Sequence, residues 1–136
     1  MTTEDLEKVA EMSAAEKMMA ALKGSREMRM LLIRDENRTV WSAVLASPKL
    51  SGADAEEIAQ MWDVHPDVLR EMAKNRQWRK RPEFCIKLLT NPRTPEDVAT
   101  KLLGSLTNDD LEKVSLDPGL SPGIRARADS MRRRRR

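Results

Sequence analysis

The sequence predicts an all-α protein: a short α-solenoid in which helical hairpins stack in chain order. Three observations carry this. Apolar residues recur in doublets four apart, the seven prolines all fall between helical stretches, and one turn-and-helix pattern returns at a nearly constant interval. Val40/Trp41 is followed by Val44/Leu45, Val68/Leu69 by Met72/Ala73, Phe84/Cys85 by Leu88/Leu89, and Val98/Ala99 by Leu102/Leu103. Such doublets lay a wide apolar stripe along a helix and do not alternate as a half-buried strand would.

Along the chain the stripes and their boundary signals predict ten short helices. They fall near 3–11, 14–23, 25–35, 38–46, 53–62, 66–75, 82–90, 95–104, 108–115 and 122–132. "SAAE" at Ser13–Glu16 forms a capping box for the second, and Gly24 suits its stop. Pro66, Pro82, Pro95 and Pro122 open later helices, where a missing N–H costs nothing. In "TPED" Thr94 can cap, while Glu96 and Asp97 complement the positive end of the helix dipole. Ser121 offers the same cap ahead of Pro122.

Asp35, Asp63, Asn91 and Asp117 each end one helix and start a tight turn, at spacings of 28, 28 and 26 residues. The unit is therefore two short helices and two turns. One such hairpin cannot bury its own stripe, but stacked neighbours share a core. On this reading residues 1–131 form one domain. Residues 1–24 supply N-terminal capping helices, residues 25–131 about four hairpin repeats, and residues 132–136 a basic tail.

The segments "LLIRDENRTVWSAVL", "IAQMWDVHPDVLREMA", "IKLLTNPRTPEDVATKLL" and "LEKVSLDPGLSPGIRARA" resemble the HEAT-like and leucine-rich-repeat-variant α-solenoids over roughly residues 25–131. The resemblance implies a surface that binds a macromolecule and supplies no catalytic residue.

Chemistry-bearing motifs are scarce. There is no Gly-rich phosphate loop, HExxH or GxSxG, and no cofactor is implied. The single His65 precedes Pro66 in a turn, where it is expected to cap or lie exposed. The single Cys85 excludes an internal disulfide and is expected to be a buried small hydrophobe beside Phe84. Glu56/Glu57 and Asp109/Asp110 are expected in first helical turns as dipole compensation. Trp41 and Trp62 are expected to pack. Trp78, within "NRQWRKRP", is open to two readings: packing between repeats, or an exposed anchor among cations.

Charge is unevenly placed. Of a formal +3, the terminal run contributes five, and subtracting those arginines leaves −2. A second basic cluster lies at 76–81. The candidate partner-binding residues are therefore Arg76, Trp78, Arg79, Lys80 and Arg81, with Arg132, Arg133, Arg134, Arg135 and Arg136. The leading expectation is a non-enzymatic protein-interaction module. The alternative is a nucleic-acid binder that holds backbone phosphates through the same cations, against which the near absence of stacking aromatics counts. The start, "MTTEDLEKVA", is acidic and amphipathic, unlike a signal peptide, and no apolar run reaches the roughly 20 residues of a membrane span. The expected location is cytoplasmic, with the sequon at Asn37 a chance match.

Overall fold

A computed structural model describes residues 2–135. Every regular element among them is helical: α1 (Thr3–Ala10), α2 (Ala14–Lys23), α3 (Arg26–Leu32), α4 (Arg38–Ala46), α5 (Gly52–Ala59), α6 (Pro66–Met72), α7 (Arg76–Arg79), α8 (Pro82–Thr90), α9 (Glu96–Ser105), α10 (Asn108–Leu116) and α11 (Pro122–Arg134). Ten correspond to the expected helices. The eleventh, α7, is one turn formed inside the basic cluster, where the side chain of Asn75 accepts from the N–H groups of Gln77 and Trp78.

The helix starts are chemically explicit. Thr2, Ser13 and Ser51 form full capping boxes with Asp5, Glu16 and Asp54. Ser25, Asn37, Thr107 and Ser121 cap through one side-chain oxygen. Each cap of this kind stabilises its helix by about 0.5–2 kcal/mol. Thr94 departs from expectation: its hydroxyl donates to the Leu88 carbonyl at 2.7 Å, satisfying the end of α8, and Pro95 takes the N-cap position of α9. Gly24 does stop α2, in an extended rather than left-handed conformation. A Cβ there would collide with the Ala20 carbonyl oxygen, so close approach explains the glycine.

The doublets form the core. Val40, Val44, Val68, Leu69, Met72, Phe84, Cys85 and Leu88 are fully buried, and one continuous apolar cluster runs from Val9 to Ala128. Burying a side chain of this size stabilises by about 1.5–3 kcal/mol. The principal helix contacts join elements no more than three apart in order. α2 packs on α3 and α4, α4 on α6, α5 on α6 and α8, α8 on α7 and α9, and α11 on α9 and α10.

Polar contacts repeat with the same interval as the sequence. Arg26 meets Asp54 at 2.7 Å, Arg34 meets Asp63 at 2.6 Å, Arg38 meets Asp67 at 3.4 Å and Arg70 meets Asp97 at 2.5 Å, over 28, 29, 29 and 27 residues. Most of these groups are exposed and screened by solvent, so such pairs add little to stability. The first three join residues 26–38 to residues 54–67, and the fourth joins α6 to α9.

Candidate functional site

Of the three tryptophans, Trp62 alone departs from expectation. Trp41 is buried, with the Arg38 guanidinium 5.1 Å from its ring centroid. Trp78 is only 8% exposed, and its ring lies 5.9 Å from that of Phe84. Packing is therefore its role in the fold, and little indole faces outward. Trp62, expected to pack, is 68% exposed. The reason is local: α5 ends at Ala59, and Trp62 falls in the bend before α6 rather than on the stripe. It stands at the rim of a groove of about 600 Å³ whose apolar lining comes from Leu89 and Pro92, from Ala99 on α9 and from Ile124 on α11.

The basic cluster divides. Arg81 turns back to Glu56 at 2.9 Å, and its guanidinium lies so close to Gly52 that a Cβ there would be 2.8 Å from Cζ. Lys80 is the exposed C-cap of α7. Arg76 and Arg79 instead line a second groove, of about 530 Å³, together with Arg70 and Lys74 at the end of α6 and Lys101 on α9. Asp97 is the one carboxylate in that lining and bonds Arg70. Both the Arg70 hydrogen bond and its charge hold the Asp97 carboxyl below the ordinary aspartate range. Lys74 pairs with Glu71 at 3.0 Å. Among the described residues Arg76, Arg79 and Lys101 make no ion pair, and the Arg79 Nε is buried without a hydrogen-bond partner. Lys101 is the member that sequence reasoning missed, because it lies far along the chain from the cluster.

The arginine run is structured. Arg132, Arg133 and Arg134 continue α11, and both Arg132 and Arg133 bind Asp129, at 2.8 and 3.0 Å. Arg135 donates to the Leu106 carbonyl at 2.6 Å and the Gly104 carbonyl at 2.9 Å. The run therefore has partners within the chain, and through Arg134 it belongs to α11 where a separate basic tail was expected. Arg136 lies outside the described residues.

The remaining candidates are structural. His65 caps α6, its Nδ1 accepting from the Asp67 N–H at 3.0 Å. Cys85 is buried and its Sγ donates to the Arg79 carbonyl at 3.4 Å. Burial, and secondarily the Asp110 carboxylate, push its thiol up, keeping it protonated and weakly nucleophilic. Asp109 and Asp110 occupy the first turn of α10 as expected. Glu56 and Glu57 do not sit in a first turn, since α5 starts at Gly52; they pair with Arg81 and Arg26 instead. Among the described residues no group of three His, Cys, Asp or Glu side chains could hold a metal ion. None of the described helices is long and apolar enough to cross a membrane.

In comparisons with known proteins, no family model, curated protein or solved structure matches the chain.

Proposed function

We propose that the chain is a non-enzymatic interaction module, a short HEAT-like α-solenoid of about four helical hairpins that presents a surface to a protein partner. The observation that carries this reading is Trp62, a large aromatic left exposed at the rim of an apolar groove. Exposed indoles beside concave apolar surface serve as binding anchors, because they bury much area and lose little rotamer entropy. The stacked architecture is supported by principal contacts between helices near in chain order and by ion pairs spanning 27–29 residues. A solenoid brings successive turns side by side, which is how a groove comes to draw on residues as distant as Trp62, Leu89 and Ile124.

The phosphate-backbone reading has less to stand on. It needs free cations spread along a surface, yet Arg81, Arg132, Arg133 and Arg135 are held by partners within the chain, and the unpaired Arg76 and Arg79 line a single groove. Affinity capture from the native cell, with and without nuclease, separates the two. The expected result is a protein retained after nuclease treatment and lost with Trp62→Ala, whose melting temperature is unchanged. Loss of all captured material on nuclease treatment, or equal capture by Trp62→Ala, would overturn the proposal.

A further inference from the structure

We propose that the groove between α6, α7 and α9 is a binding site for a compact phosphate group. Four cations from the stretch 70–79 and Lys101 from the neighbouring unit converge on one concave space, against the single carboxylate of Asp97. That carboxylate is already engaged by Arg70, and the charge of Lys74 is partly met by Glu71. Arg76, Arg79 and Lys101 are left facing one another's charge with no acidic partner among the described residues. Gathering like charges in a cleft costs stability and focuses the field on an incoming anion. Elsewhere in this chain arginines find carboxylates readily, as Arg26, Arg34, Arg38 and Arg127 do. Arg29, Arg93, Arg125 and Arg134 have no ion pair among the described residues either, but in this groove three such cations share one concave lining.

The orphaned Nε of Arg79 makes the same point at atomic scale. Buried donors are almost always satisfied. The Nε atoms of Arg29, Arg125 and Arg132 are orphaned too, but of the four only Arg79 lines the cationic groove, where an incoming acceptor would satisfy it. Guanidinium forks match phosphate oxygens in pairs, and ammonium groups add point charge, so two or three arginines with two lysines suit a dianion. At about 530 Å³ the space has the size of a small-ligand site, and Val98 and Leu102 give it an apolar floor for the body that carries the phosphate. A nucleic-acid duplex would need cations spread along the track of its backbone phosphates; here they converge in one hollow. This site is separate from the Trp62 groove and does not depend on its role.

Calorimetric titration of the full chain at low ionic strength tests this, with inorganic pyrophosphate and a phosphoserine peptide as probes. One molecule should bind per chain, and the complex should melt at a higher temperature than the free protein. Arg76→Gln with Lys101→Gln should weaken binding by about tenfold to a hundredfold. Both side chains are exposed, so the ligand-free variant should melt no lower than the parent. Arg134→Gln, on the exposed end of α11, should leave binding intact. Tighter binding of the peptide assigns the phosphate to a modified protein, and tighter binding of pyrophosphate assigns it to a free phosphorylated compound. Absence of binding, equal binding by the double variant, or a DNA duplex binding more tightly than both probes would overturn the assignment.

Discussion

Asn91 Nδ2 lies 2.8 Å from the carbonyl oxygen of Ala59, the last residue of α5, and donates equally closely to the carbonyl of Met61. The side chain is buried, and its Oδ1 accepts from the Arg93 N–H. One amide thus closes its own turn and satisfies the end of a helix about one repeat earlier. The corresponding aspartates do the related job with opposite polarity: Asp35 accepts from Lys17 at 2.8 Å and Asp63 from Arg34.

Asn91 is therefore the turn residue that cannot be an aspartate. Asn91→Ala leaves two carbonyls short of a donor and should cost about 2–4 kcal/mol. Asn91→Asp, nearly isosteric, should be at least as damaging at neutral pH, because it points a carboxylate at carbonyl oxygens. Urea unfolding of the three proteins checks this, and an Asp variant as stable as the parent would refute it.

Trp78 and Trp62 should respond in opposite ways to truncation. Trp78→Ala empties a buried site against Phe84 and should cost about 3–5 kcal/mol. Trp62→Ala removes an exposed ring and should fall within about 0.5 kcal/mol of the parent. The emission spectrum provides a second check, since removing Trp62 should shift the remaining tryptophan emission to the blue. A red shift, or a larger stability loss at Trp62, would reverse the assignment.

Much of this fold is legible locally, and the misplacements have a common cause. Ser13 with Glu16, Pro66 and Ser121 mark helix starts using atoms within a few residues of themselves. The doublets around Leu88 need only a 3.6-residue period to predict burial. Whether an indole in a turn is covered depends instead on what the next unit places over it. That information is spread across about thirty residues, so Trp62 is misplaced and Trp78 stays open between two readings. The cationic groove failed to show for the same reason, because Lys101 joins Arg76 and Arg79 only when α9 packs beside them.

Acid should loosen the contact between α3 and α5. Burial alone would push the Asp54 carboxyl up, but the Ser51 N–H at 3.1 Å, the Arg26 guanidinium and the Ser51 hydroxyl together hold it below its ordinary value. The unfolded chain therefore takes up the proton more readily than the native one. The stabilisation is complete above the ordinary aspartate range and is lost as pH falls through the lowered native value. Asp35, bound to Lys17, adds to the effect in the same direction. Urea midpoints should drop on acidification, and Asp54→Asn should be less stable at neutral pH with a shallower acid decline. An Asp54→Asn curve parallel to that of the parent would show that this carboxylate contributes nothing to the acid response.

The arginine run should prove structural at one residue in particular. Arg135 reaches the carbonyls of Gly104 and Leu106, which end α9 and have no partner within their own helix. A cation at a helix C-terminus also meets the negative end of the dipole. Because Arg135 is exposed, its loss should cost only about 1 kcal/mol, which for a chain of this length lowers the melting temperature by about 3–5 °C. Arg134→Ala, which breaks no ion pair among the described residues, should leave the melting temperature unchanged. Deleting residues 132–136 should exceed the effect of Arg135→Ala, since the half-buried Arg132–Asp129 pair is lost as well. The same deletion takes the formal charge from +3 to −2 and should weaken any non-specific attraction to polyanions, whatever it does to stability. Scanning calorimetry of the three variants separates these effects. If the deletion melts with the parent while polyanion binding falls, the arginines serve only as surface charge and the Arg135 contacts carry no stability.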